Sequence, residues 1–339
     1  MDTERRSGPP TIVTVALEAG VHPSTVSRAL SDDQRVRGGV AAGTRDKVAE
    51  VAQRLGYRRN RVGARLRTGR TGVIGVLVPR ITDIVVALAY EGLDAEARAR
   101  GYVTLVGNTL DDPRIRKERI GQLLDHGVDA IMFSDGHLDD EPPAGPYPVP
   151  VLPFMRSSGQ QAEVPRVDDT DGGVQAARHL LDLGHRRIAV VAGPTSASTA
   201  RDRTQGFIEA LCSRGISIDS DRITGSTFDV TGGKAAAARL LSQGLAPTAI
   251  FAVNDFIAIG VMAAARDRGL SVPDDISVVG FNDIPLAGEL PIPLTTVRSP
   301  LRDAGAAAAR VAVAAIGGET MAPASLATHL IVRESTAPL

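Results

Sequence analysis

The sequence predicts an α/β protein in which an N-terminal all-α helix-turn-helix domain is joined by a hinge to two doubly wound parallel-sheet subdomains. Three observations carry that reading. Apolar residues recur at helical spacing over residues 11–56, interrupted by a Gly turn; the charge balance reverses near residue 70; and from Val73 onward short β-rich runs alternate with helical stretches. Residues 1–70 hold 14 Lys and Arg against 7 Asp and Glu, whereas the other 269 hold 24 against 32. A basic head on an acidic body points to a polyanionic partner for the head.

Composition removes several alternatives. Cys212 is the single cysteine, so no disulfide forms within the chain and no zinc site with two thiolates of one chain exists. There is no Trp and only eleven residues are Phe or Tyr, which disfavours modules built on aromatic base stacking. Apolar runs fall short of the ~20 residues a membrane helix needs, and Met1 to Pro10 is charged and Pro-rich rather than signal-like. A cytoplasmic protein is expected, with no membrane partner.

The head reads as three helices. Thr11 caps a first helix with apolar Ile12, Val15, Ala16 and Ala19; Gly20 makes the turn. Pro23 opens a second helix through Leu30, with Val21, Val26, Ala29 and Leu30 turned inward and Ser24, Thr25, Ser27 and Arg28 outward. A third helix begins near Thr44 and runs through Val48, Val51, Ala52 and Leu55 to Gly56. Two short helices joined at a Gly turn and braced by a third make a helix-turn-helix, whose second helix enters the DNA major groove.

The stretch Thr11–Leu30 (TIVTVALEAGVHPSTVSRAL), with Gly43–Val48, Leu55-Gly56-Tyr57 and Asn60-Arg61, resembles the N-terminal signature of the LacI/GalR family of bacterial transcription repressors. Three departures stand out. Thr14 replaces an acidic residue, His22 replaces a capping Ser, and the loop Ser31–Gly39 is about four residues longer and carries Arg35 and Arg37. That insertion reads as a solvated loop ahead of one adding phosphate contacts. The resemblance implies that the hinge after Tyr57 orders on operator DNA, that Asn60 caps its short helix, and that Leu66 wedges into the minor groove. Gly63 stands where the family has Ala, which costs ~1 kcal/mol in a helix interior. On this basis Thr11, Pro23, Ser24, Thr25, Ser27, Arg28, Asn60, Arg61 and Leu66 are the candidate DNA contacts.

The body is expected to contain strands at 73–78, 103–106, 130–133, 149–153, 188–192, 223–224, 249–253 and 277–281. Helices are expected around 84–100, 117–126, 172–183, 199–214, 231–243 and 256–268. Such alternation gives parallel sheets covered on both faces, which alone does not separate a binding protein from an enzyme. The sequence contains no G-x-G-x-x-G after a strand, no P-loop, no G-x-S-x-G and no H-E-x-x-H; its six histidines are scattered, with solvent-facing or capping roles expected. Neither a cofactor nor enzymatic activity is expected.

Leu183–Ile188, Ala192-Gly193-Pro194, Asn254-Asp255, Gly280–Ala287 and Pro293–Val297 extend the resemblance through the body, which is similar to periplasmic sugar-binding proteins, with two lobes closing on a ligand. It implies effector contacts from Arg203 and Thr199, from Asn254 after one buried strand and from Asn282 after another. Their alternative roles are turn formers or caps, and Asp255 reads equally as a cap of the helix at Phe256. Val85 stands where relatives place an aromatic; Met155 stands where they carry Asp; Arg156 matches. An ordinary hexose is thereby less secure as the effector. Arg203→Ala is expected to abolish the effector response while sparing operator affinity.

The expected boundaries are 10–58 for the helix-turn-helix domain, 59–71 for the hinge, 72–168 with 298–327 for the N-terminal lobe, and 169–297 with 328–339 for the C-terminal lobe. The whole reads as a repressor that binds double-stranded operator DNA, controlled by a small-molecule effector. The alternative is a solute-binding receptor of the periplasmic type, which the basic head and missing export signal disfavour. A homodimer is expected on a palindromic site, with Val86, Tyr90, Leu93 and Ala97 as its face. With a last strand expected at 328–332 and Leu339 soon after it, a dimer rather than a tetramer is expected.

Overall fold

The computed structural model describes residues 10–31, 34–57, 70–140, 146–157, 165–242, 247–322 and 324–339. The hinge positions Asn60, Arg61 and Leu66 lie outside these residues. The chain divides into two compact units, residues 1–71 and 72–339, each described by itself.

In the first unit, α1 (Ile12–Ala19), α2 (Pro23–Ala29) and α4 (Ala42–Arg54) enclose a core of Val15, Ala16, Ala19, Val26, Ala29, Val48, Val51 and Ala52. Thr11 and Thr14 form a reciprocal cap: each hydroxyl accepts from the other's backbone amide at 3.3 Å. An acidic residue at position 14 is therefore not needed to close the box. Gly20 ends α1 with φ +66°, a conformation a side chain would strain. His22 serves as cap for α2, its Nδ1 accepting from the Ser24 amide at 3.3 Å.

The described part of the inserted loop is largely helical. Gln34–Gly38 forms a short helix, α3, and Arg45 Nη1 donates to the Arg37 and Val40 carbonyls at 3.3 and 3.2 Å, tying α3 to the start of α4.

The second unit holds two parallel sheets. The first, ordered β2-β1-β3-β4, contains β1 (Val73–Val78), β2 (Val103–Asn108), β3 (Ala130–Phe133) and β4 (Val151–Pro153), with α5 (Ile84–Ala99) and α6 (Pro113–Asp125) between them. A two-residue ladder then pairs β5 (Arg166–Val167) with β11 (Ser325–Leu326). The second sheet follows α7 (Asp169–Asp182). It contains β6 (Ile188–Ala192), β7 (Ile223–Gly225), β8 (Ala249–Ala252), β9 (Ser277–Asn282), β10 (Thr295–Arg298) and the antiparallel β12 (His329–Ile331), in the order β12-β10-β9-β8-β6-β7. Its helices are α8 (Ser198–Ser213), α9 (Val230–Ser242) and α10 (Asp255–Arg266). Finally α11 (Leu301–Ile316) crosses back and packs on α5. The strands β5, β10 and β11 and the Ala-rich α11 were not expected from sequence pattern: the strands are short, and α11 lacks a large-residue stripe.

That return explains one correction. Val86, Leu93 and Ala97, expected at a dimer face, are buried in the core of their own lobe with Ala308, Ala309 and Ala312 of α11, while Tyr90 Oη pairs with Thr104 Oγ1 at 2.8 Å. Glycine makes the close approach of α5 and α11 possible: a Cβ on Gly92 would overlap the Arg302 backbone, and one on Gly305 the Ala89 backbone. His185 is a second correction. It is buried, with Nδ1 3.0 Å from Thr248 Oγ1 and Nε2 3.1 Å from both Ser277 Oγ and the Ala337 carbonyl, and burial pushes its pKa down.

Candidate functional site

In an open parallel sheet, ligands sit beyond the strand C-termini where the strand order reverses. The reversals here fall between β1 and β3 in one sheet and between β6 and β8 in the other. A narrow cleft opens at this end of both sheets, lined by Pro79, Asp83, Val85, Val86, Ser134, Met155 and Arg156 from the N-terminal lobe and by Thr199, Arg203, Phe228, Asn254 and Asn282 from the C-terminal lobe. The non-glycine residues with left-handed backbone among those described are Leu110, Asp111, Met155, Asn282 and Asp283, and all lie at or just beyond strand C-termini. Strain of this kind persists where the surroundings over-determine it, and it concentrates at functional sites.

Each polar wall residue has a structural anchor. Arg203 Nε donates to Asp169 Oδ1 at 2.7 Å and Nη1 donates to the Val253 carbonyl at 2.9 Å, with the guanidinium 3.9 Å from the Phe281 ring centroid. Asn254 is the N-cap of α10: its Oδ1 accepts from the Ile257 amide at 2.7 Å, and its Nδ2 reaches the Phe228 carbonyl at 3.4 Å. The cap is thus Asn254 rather than Asp255. Asp255 is buried one residue into the helix, accepting from Thr296 Oγ1 at 2.5 Å and from the Ile284 amide at 2.8 Å, and burial raises its pKa to about 7. Asn282 Oδ1 accepts from Ser299 Oγ at 3.3 Å.

On the facing wall, Asp83 caps α5 by accepting from the Val85 amide at 2.9 Å. Burial pushes its carboxyl up, opposed by the Val85 amide and by the charges of Arg156 and Arg203. Arg156 Nη1 donates to Asp111 Oδ1 at 2.8 Å, and its guanidinium lies 5.1 Å from the Phe228 ring centroid. With each guanidinium matched to a carboxylate, the cleft offers polar ends and an aromatic face rather than uncompensated positive charge.

Every effector position named from the sequence, Val85, Met155, Arg156, Thr199, Arg203, Asn254 and Asn282, lines this cleft. Sequence reasoning missed Phe228. The aromatic surface sought at the start of α5 comes instead from the segment between β7 and α9, where no periodic pattern announces it. Ser134, at the end of β3, was findable as a strand terminus. Among the described residues, no cluster of His, Cys, Asp and Glu has a metal-holding arrangement. No described helix is long and apolar enough to cross a membrane.

In the head, Ser24 and Arg28 are exposed on α2, whereas Pro23, Thr25 and Ser27 are half-buried. Arg28 Nε donates to the Ser24 carbonyl at 3.3 Å, which aligns the guanidinium along the outer face of the helix. The Thr11 hydroxyl is engaged in the cap of α1.

A helical head with an exposed recognition helix and a body with a polar cleft between two parallel-sheet lobes define a ligand-responsive DNA-binding regulator. Residues 11–60 match the model of the bacterial regulatory proteins of the lacI family, and residues 177–336 match the periplasmic binding protein-like domain. The chain is 34% identical to the HTH-type transcriptional regulator DegA of Bacillus subtilis (strain 168), over 97% of this chain and 98% of that one. Among solved structures it resembles a lac repressor dimer bound to operator and the anti-inducer ONPF (TM-score 0.84, 26% identity, 97% of this chain and 100% of that one). It also resembles a complex of the transcriptional regulator CelR with cellobiose (TM-score 0.71, 31% identity, 96% and 99%). The chain belongs to the LacI family: it is a DNA-binding transcriptional regulator with an effector-binding domain, not an enzyme.

Proposed function

We propose that this regulator is a cytoplasmic repressor that grips a palindromic operator as a dimer, and that a small sugar-like metabolite held between its lobes sets the strength of that grip. The observation that carries the effector half is the convergence of anchored polar ends from both lobes on one cleft. Arg203, Asn254 and Asn282 present hydrogen-bonding groups from the C-terminal lobe, Asp83 and Arg156 from the other, and Phe228 offers a flat face to an apolar ring surface. The cellobiose held by the CelR relative supports a carbohydrate-like compound, while Met155 removes an acceptor that a hexose would use.

For the DNA half, Ser24 and Arg28 read base edges, and Thr25 and Ser27 serve the phosphates. Thr11, Pro23, Asn60, Arg61 and Leu66 complete the contact set, with Leu66 as the minor-groove wedge. With the α5 stripe buried, the dimer face moves to the edge strand β2, where Val103 and Leu105 are 52% and 42% exposed on one side of the strand. A thermal-shift screen of sugars, polyols, nucleosides and purines tests the effector site: a ligand raises the melting temperature by mass action, and Phe228→Ala removes that rise. A compound that stabilises the wild type and the variant equally would mean that it binds elsewhere.

A further inference from the structure

Arg156 reaches across the cleft from the end of β4 to Phe228 in the other lobe, at a cation–π distance of 5.1 Å. What aims it is Asp111, whose Oδ1 accepts from Arg156 Nη1 at 2.8 Å and lies 3.3 Å from His137 Nε2. One carboxylate oxygen therefore serves two cationic side chains. Asp111 has φ +60°, and Met155, next to Arg156, has φ +64°, so strained backbone flanks the contact on both sides.

Behind His137 the charges continue. Its amide donates to Asp140 Oδ2 at 2.8 Å, Asp140 pairs with Arg116 of α6, and Arg116 Nη1 donates to the Asp135 carbonyl and lies 3.5 Å from Asp135 Oδ1. Asp135 is fully buried, accepting at Oδ2 from Thr109 Oγ1 at 2.6 Å, with no hydrogen bond to Oδ1. Three carboxylates thus meet two guanidiniums and one imidazole, and these six groups balance only when the imidazole is charged; Asp83, the further carboxyl that feels the Arg156 charge, is itself raised by burial. The adjoining backbone also spans the lobes: Leu138 N donates to the Ser196 carbonyl at 2.8 Å, and Ser157 N donates to Ser198 Oγ at 2.9 Å.

We propose that Asp111 and His137 are positioning residues for Arg156, and that the charge on His137 sets how firmly this guanidinium holds the opposite lobe. With His137 charged, Asp111 is shared and the two cations repel, which drives Arg156 toward the Phe228 face. With His137 neutral, Arg156 is the sole cation on Asp111 in a cluster with net negative charge, and it withdraws from the ring. The hydrogen bond to Asp111 raises the His137 pKa against the opposing effect of burial, so the change falls above the ordinary imidazole value of about 6.5. Its regulatory meaning rests on the cleft being the effector site, but the contact itself is measurable without a ligand.

Because the chain contains no Trp, Phe228→Trp in the full-length protein gives a single tryptophan beneath Arg156, excited selectively over the four Tyr. Its emission is followed from about pH 5 to about pH 9, the window around imidazole titration. The expected result is a transition with its midpoint above about 6.5, which is lost when His137→Gln is added and moves to lower pH when Asp111→Asn is added. An unchanged transition in either double variant overturns the proposal, and either variant decides alone if the other does not fold. A transition that survives His137→Gln would belong to another group, with Asp83, which feels the Arg156 charge, the first candidate and Asp255 the second. An empty thermal-shift screen alongside the expected titration would instead count against the effector reading and leave the latch standing.

Discussion

Arg203 and Asp169 form a buried ion pair at 2.7 Å, with both side chains less than a tenth exposed. The pair lies in the wall of the cleft, so Arg203 is both a candidate ligand contact and a structural element. Burial raises the Asp169 pKa even though the Arg203 charge opposes the shift. Removing one member of a buried pair leaves an uncompensated charge, which costs ~3–5 kcal/mol. Arg203→Ala should therefore destabilise the body by several kcal/mol, and is not the clean loss-of-response variant that the sequence suggests. In urea denaturation, Arg203→Ala combined with Asp169→Ala should lose much less than the two single losses added together. Additive losses would mean that the pair is not coupled.

Asp255 predicts a pH dependence of definite sign. Its carboxyl is raised from an ordinary value of 3.8 to about 7 in the folded protein. The folded state therefore binds this proton more tightly, and the contribution of Asp255 to stability falls as pH rises from about 4 to about 7 and is constant above. Spanning about three pH units, the change is roughly 4 kcal/mol. The stability difference between wild type and Asp255→Asn, measured across that range, should shift toward the variant as pH rises. A difference that is independent of pH would show that Asp255 stays ionised throughout.

On α2, Arg28 is exposed and held along the helix through the Ser24 carbonyl. Arg28→Ala should cost ~1–3 kcal/mol on operator DNA and relax preference at one base pair, with a smaller effect on random sequence. Equal losses on operator and random DNA would reduce Arg28 to a phosphate contact.

The exposed side of β2 makes the assembly testable. Leu105→Glu places a charge where two copies would bury apolar surface, and light scattering should show a monomer whose melting behaviour is close to wild type. A variant that remains dimeric at the same concentration would move the interface elsewhere.

The legible and illegible parts of the sequence divide along physical lines. The head was readable because a helix-turn-helix needs fixed spacing: Gly20 at the turn, Pro23 at the helix start, and Val26 and Ala29 inward. Asn254 and Asn282 are readable because they stand at strand C-termini, which mark where an α/β sheet binds, whereas Arg203 and Thr199, on α8, and Arg156 are reached only through the family resemblance. Periodicity identifies the apolar stripe of α5 but not its cover: Val86, Leu93 and Ala97 read as an external face, and α11 covers them. The short strands β5 and β11 carry too few residues for a pattern. The sequence leaves the cap of α10 open between Asn254 and Asp255, because either side chain can cap and only the fold turns Asp255 toward Thr296.

The central claim is that the cleft and the operator are linked, and reciprocity tests it most directly. Operator affinity is measured by mobility shift with and without the compound found by thermal shift, and the affinity for that compound with and without operator. Thermodynamic linkage requires the two ratios to be equal, with a typical coupling of ~1–3 kcal/mol, or roughly 5–150-fold. The account predicts equal ratios within that range, abolished together in Phe228→Ala. Operator affinity that is unchanged at saturating compound would contradict it.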